Sequence, residues 1–356
     1  MTTKLFTIPQ RLKLLKNIIV ISLIFSFCLS YKLWLSERFF PTTPLIHLNI
    51  NFKIDGLLTI LSCLCLGMSL FFKYERLLIL ISVLINTFLV LLDLSRLQPW
   101  FLTYNVILIL LLLFNGRVDN PHKNTVIFIY LQLLIISIYI CNALYNFNAY
   151  FVGDVLQPFL NQYSNVFSER QFYFFIKIGK AIPVLVFLIG IALIFPIARY
   201  LAVSLGIIFH LFLIILLFPS ATNLNYANWF INFVFISVLI ILFFGETKQR
   251  YFSLSILLQK PLFYACIFVF FITPITNVFN RNDNVLDINF VQYPENQKLT
   301  FEFNSDKNIP LFVQSFLQAN QQQAQLKSKQ WCLTELHSSL INHPKVYTAL
   351  NNYFQN

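Results

Sequence analysis

The chain has 356 residues, 58% hydrophobic and 11% charged, where a soluble domain has about 45–50% and about 25%. With a mean hydropathy of +0.70, this composition argues against a soluble enzyme, a disordered chain and a nucleic-acid-binding domain, and for a multi-spanning membrane protein. The net charge of +11 is read first as topology, because Lys and Arg distribute asymmetrically across a bilayer.

An apolar stretch of about 17–25 residues crosses a bilayer as a helix. Nine are expected, near 18–35, 55–72, 77–94, 100–114, 124–144, 180–198, 200–218, 227–244 and 261–279. The first follows a basic start, as in a signal peptide. No small-residue cleavage site follows it, so it reads as a retained anchor. Ser36–Ile54 is a loop with Pro41, Pro44 and His47. The clearest span is Leu77–Leu92, which carries no charge; the fourth is short.

Tyr145–Gly179 mixes aromatics with Asp154, Pro158, Glu169 and Arg170. That mixture fits interfacial segments along the outer leaflet or a structured loop over the bundle. Pro196, Arg199 and Tyr200 make a tight turn between the sixth and seventh spans. If Pro196 only kinks one long helix, the count falls to eight and the C-terminus changes side.

In the tail, KLTFEF (298–303) alternates as a strand does. Residues 311–329 suit an amphipathic helix, and Pro344 opens a last helix with Val346, Leu350 and Phe354 on one face. The segments are apolar all round, which excludes a β-barrel. The expected fold is an all-α polytopic bundle of about nine transmembrane helices with a small α+β extracytoplasmic tail. Its divisions are 1–17 (cytoplasmic), 18–279 (membrane bundle) and 280–356 (tail).

With the N-terminus inside, the inner segments hold Lys4, Arg11, Lys13, Lys16, Lys73, Arg76, Arg117, Lys123, Arg199, Lys248, Arg250 and Lys260. The outer ones hold Lys32, Arg38, Lys53, Arg96, Arg170, Lys177 and Lys180. Twelve against seven sets the N-terminus in the cytoplasm. Five of the six Cys (Cys28, Cys63, Cys65, Cys141, Cys266) fall in spans and Cys332 in the tail, with no C-x-x-C, so redox catalysis through cysteines is not expected. No His has metal-ligand spacing with a second His or Cys, so no metal is expected, and no cofactor is assigned.

Ionisable groups at membrane depth mark functional sites by default, and there are few. His210, mid-span in LGIIFHLFLIILLFP, can contact a head group or shuttle a proton; it can equally bond a neighbouring helix. Asp93 and Arg96, spaced i,i+3 and followed by Gln98, Pro99 and Trp100, form an interfacial ion pair beside a belt Trp or line an outward polar pocket. Asn142, Asn146 and Asn148 follow Tyr139 and can bond across helices or bind a polar ligand. Asn223, Asn225, Asn228, Trp229 and Asn232 make another amide-rich turn.

Three stretches in this order, LLDLSRLQPWFLTYNVILIL (91–110), YICNALYNFNAYF (139–151) and IIFHLFLIILLFPSATNLNYANWFIN (207–232), resemble bacterial membrane proteins of the HTTM-like type. Those are related to the vitamin K-dependent γ-carboxylase and, more distantly, to DoxX-like proteins. The resemblance covers about residues 10–280 and implies their shared scaffold, which does not fix activity.

Ala143 stands where the family motif has Gly, and Asn146 where the carboxylases have the Lys that the resemblance makes the catalytic base. An amide cannot act as that base, so γ-carboxylase activity is disfavoured. The candidate polar site is Asp93, Arg96, Gln98, Trp100, Tyr139, Asn146 and His210.

The leading expectation is a non-catalytic membrane protein that binds a lipid or a partner protein, or serves as an accessory subunit, with no nucleic-acid partner. An enzyme acting on a lipid or quinone in an outward cavity is the alternative. A transporter is a third, although no internal repeat is detected. The Asn-, Ile-, Lys- and Phe-rich, Gly-poor composition fits an AT-rich coding sequence. Together with the resemblance, this places the chain in a bacterial inner membrane.

Overall fold

A computed structural model describes residues 6–34, 54–93, 96–113, 121–147, 151, 156, 160, 168–218 and 226–244, and two strands at 288–292 and 299–303. The first helix, α1 (Ile8–Leu29), starts ten residues before the expected span. Its start is set by Thr7, whose backbone N–H donates to Gln10 Oε1 (2.8 Å) in half of a capping box. Arg11 is accommodated inside the helix because carbonyls receive its guanidinium: Nε donates to Phe6 O and Nη1 to Ile241 O. A short turn of helix, α2 (Tyr31–Trp34), follows.

Next come α3 (Ile54–Ser69) and α4 (Glu75–Leu92), which pack on each other across the turn at Leu70–Tyr74. The inward residues of α3 are small or polar: Gly56, Thr59, Ser62, Cys65 and Ser69, with Leu66 beside them. Its outward residues are Leu57, Ile60, Leu61, Leu64 and Met68. A water-soluble helix shows the opposite polarity. In lipid, small residues let backbones approach while apolar side chains face the acyl chains. Helix α5 (Pro99–Leu113) begins on a proline, whose missing N–H is no loss at a first helical position.

Helix α6 (Pro121–Asn146) also begins on proline and is the most buried of the long helices. It packs against α8 (Ile182–Ile194), which packs against α9 (Arg199–Leu216). Two glycines make these approaches close. A Cβ on Gly190 would lie 3.1 Å from Tyr139 Cβ and 2.9 Å from Ile140 Cγ1, and one on Gly206 would lie 2.8 Å from Leu239 Cδ1. The chain breaks between α8 and α9: Phe195 is extended, and Ala198 N–H bonds Phe195 O across the turn. Pro196 thus sits in a turn between two helices that fold back on each other.

Before α8 lies α7 (Glu169–Gly179), started by a full capping box between Ser168 and Gln171 and bent 41° from α8. Helix α10 (Tyr226–Phe243) is the last described. In the tail, β1 (Ile288–Gln292) pairs antiparallel with β2 (Leu299–Phe303), Phe290 opposite Phe301. The strand expected from KLTFEF is β2.

Among the described residues, five helices are long and apolar enough to cross a bilayer: α1, α4, α6, α9 and α10. The bent α7–α8 pair makes a sixth if it is one span, and α3 and α5 are shorter apolar helices. These are the helices of an integral membrane protein. Helices thus occur at eight of the nine expected stretches. The ninth, 261–279, lies outside the described residues, as do the helices expected at 311–329 and after Pro344 and nearly all of Ser36–Ile54.

The chain forms two compact units. One comprises Met1–Ile18, Leu110–Leu217 and Asn232–Asn282; the other comprises Ile19–Ile109, Phe218–Ile231 and Asp283–Asn356.

Candidate functional site

All the sequence-selected polar residues but Asn146 fall into two buried clusters, one in each unit. In the unit of α6, α8 and α9, His210 of α9 lies between Tyr139 of α6 and Asn232 of α10. Tyr139 Oη is 2.6 Å from His210 Nε2, and His210 Nδ1 is 2.9 Å from Asn232 Oδ1. With Asn232 presenting its oxygen, Nδ1 carries the proton and donates, leaving Nε2 to accept from the phenol. A neutral imidazole therefore satisfies both bonds. Phe235 stacks on the ring, 5.1 Å between centroids and 9° between planes, and all three polar residues are buried. Gly206 leaves room here: a Cβ would come within 3.5 Å of Tyr139 Oη.

Asn146 does not join this group. It lies seven residues beyond Tyr139 on α6, about 10 Å along the axis, and its amide folds back to donate to Asn142 O (2.9 Å) and Asn142 Oδ1 (2.8 Å).

In the other unit, Arg96 occupies the connection between α4 and α5. Its Nη2 pairs with Asp55 Oδ2, Nη1 donates to Leu89 O (3.2 Å), Nε donates to Leu33 O (3.3 Å), and Asp93 Oδ2 lies 3.8 Å from Nε. Both Arg96 and Asp93 side chains are 0% exposed. Burial pulls the guanidinium pKa down, and the charge and hydrogen bond of Asp55 oppose that pull. Such a pair holds because several acceptors satisfy the buried donors.

Trp34 covers the guanidinium at 5.8 Å. Trp100 packs edge-on against Trp34, Phe27 and Phe101 rather than facing outward. Gln98 is fully buried, and its backbone N–H donates to Arg96 O (2.8 Å). The i,i+3 spacing brings Asp93 near Arg96, but the carboxylate bonded to Arg96 Nη2 is Asp55, 41 residues away.

A third arrangement escaped the sequence reading. Ser62 of α3 donates to Asn86 Oδ1 of α4 (2.7 Å), so Ser82, 2.7 Å from Ser62 Oγ, must donate to that oxygen. Asn86 Nδ2 donates in turn to Asn105 Oδ1 of α5 (2.9 Å), and Asn105 Nδ2 to Phe101 O (2.8 Å). All four residues are buried. Ser82 and Asn86, four apart on an otherwise apolar helix, were the available signal. In the first unit, Gln132 of α6 likewise donates to Leu242 O of α10 (2.7 Å).

Among the described residues no group of His, Cys, Asp and Glu can hold a metal. No family model, curated protein or solved structure matches the chain.

Proposed function

We propose that this chain is a non-catalytic integral membrane protein of HTTM-like scaffold that binds a membrane lipid or a partner protein, or serves as an accessory subunit. One observation carries the reading: two buried ionisable side chains singled out from the sequence, His210 and Arg96, spend their hydrogen-bonding capacity on neighbouring side chains and backbone carbonyls. His210 uses both ring nitrogens, and Arg96 bonds through Nε, Nη1 and Nη2. The amide of Asn146, at the position where the related carboxylases have a basic Lys, supports the same reading.

The setting is a bacterial inner membrane, with the N-terminus cytoplasmic and the tail outside. Protease added to intact spheroplasts should remove the tail, and complete protection would reverse that topology. Single alanine replacements of His210, Asp93 and Asn146 should leave membrane insertion intact. Purified protein should not turn over a lipid quinone; turnover would overturn the non-catalytic reading.

One geometry favours a second reading, a membrane enzyme acting on a lipid or quinone. The Tyr139–His210–Asn232 series has the order hydroxyl, base, orienting amide that an activated nucleophile requires. Turnover that His210→Gln abolishes, with the fold retained by circular dichroism, would select it.

A further inference from the structure

Helix α7 divides into three sectors at about 100° per residue. Phe172, Phe175, Ile176 and Gly179 share the first. The three apolar side chains pack on Leu156, Leu160 and Leu216, and a Cβ on Gly179 would overlap Leu156. The second sector is apolar and uncovered: Phe174 is 59% and Ile178 47% exposed. The third carries Arg170, Lys177 and Lys180, all exposed, around Tyr173, which is 71% exposed. Against these three cations stands one anion on the helix, Glu169, in the first turn where it complements the helix dipole.

We propose that α7 is an interfacial anchor lying along the bilayer surface, with Phe174 and Ile178 among the acyl chains and Arg170, Lys177 and Lys180 on anionic lipid headgroups. A helix buried on one side in its own protein has two faces left. Here one is apolar and the other basic with an amphipathic Tyr between the cations, which is what the boundary between acyl chains and headgroups demands. Continuity adds to this. Through Lys180 and Ala181, α7 runs into the wholly apolar α8, and the 41° bend falls where charge stops. Carrying α7 straight on as part of a span would take Arg170 and Lys177 into hydrocarbon. The inference rests on the membrane reading and deepens the lipid-binding one by naming headgroup charge and site.

The test uses full-length protein in lipid bilayers. Electron paramagnetic resonance of spin-labelled phosphatidylglycerol and phosphatidylcholine measures which lipid the protein retains. Hydrogen exchange of α7 amides is compared in nanodiscs of the two lipids. The wild type should favour phosphatidylglycerol, and α7 amides should exchange more slowly in it. At low salt, Arg170→Gln/Lys177→Gln/Lys180→Gln should weaken the preference by roughly fivefold per headgroup-contacting residue. Salt on the wild type should erode it as charges are screened, a control needing no variant.

Equal lipid preference in wild type and variant, or α7 exchange indifferent to lipid charge, would overturn the anchor. The non-catalytic reading fails separately: quinone turnover would overturn it whether or not α7 prefers anionic lipid.

Discussion

If the buried polar groups hold helices together, Tyr139 and His210 must be energetically coupled. Tyr139→Phe keeps the ring and removes one hydroxyl, ending the 2.6 Å bond to His210 Nε2. His210→Phe removes that bond and the 2.9 Å bond to Asn232. Interhelical hydrogen bonds in membranes average about 0.6 kcal/mol and reach about 1.7. The single changes should therefore destabilise by about 0.6–1.7 and about 1–3.5 kcal/mol, the second also carrying some overpacking by the larger ring.

The double mutant should be less destabilised than the sum by about 0.6–1.7 kcal/mol, because the Tyr139–His210 bond can be lost only once. Reversible unfolding in mixed micelles, followed by far-ultraviolet circular dichroism, gives the four stabilities. Additivity within about 0.3 kcal/mol would refute the reasoning: the short contact would then hold nothing.

Five further outcomes are expected from the same assay. Asn86→Ala should cost about 1–3 kcal/mol, since it ends two interhelical bonds, and in a cycle with Asn105→Ala it should show coupling of about 0.6 kcal/mol or more. Gly190→Ala should destabilise by about 1–3 kcal/mol through overpacking on Tyr139 and Ile140. Gly67→Ala, where a Cβ would meet nothing within 4 Å, should stabilise by about 0.5–1 kcal/mol. Arg96→Met should cost about 3–5 kcal/mol by leaving buried carboxylate charge uncompensated. Asn146→Ala, which removes only bonds within one helix turn, should stay within about 0.5 kcal/mol of wild type.

Hydropathy placed α4 to within two residues because Arg76 and Asp93 bracket an uncharged run. It misplaced the start of α1, since Arg11, Lys13 and Lys16 read as a boundary. A carbonyl acceptor at Ile241, 230 residues away, lies beyond any local window. His210 stood out because an imidazole is rare at membrane depth, and the interhelical bond left open as one of its readings exists. Its acceptor Asn232 was only one amide among several, since nothing local says which Asn faces α9. Ser62, Ser82 and Asn105 drew no notice because hydroxyls and single amides scarcely lower the hydropathy of a span. Their value arises only when three helices bring them together.

Two of the helices that share that serine–asparagine chain, α3 and α5, are over their described residues shorter than a bilayer's hydrocarbon core. At about 1.5 Å per residue, the 16 residues of α3 and 15 of α5 reach about 24 and 22 Å, against a hydrocarbon core of about 30 Å. The α3 face presents Leu57, Leu64 and Met68 to the lipid, so the bilayer must thin beside it or flanking residues must fill the gap. Either costs a fraction of a kcal/mol for each ångström of mismatch. Thinner bilayers reduce that cost, so the flank gives the chain a thermodynamic preference among membranes, set by helix length alone.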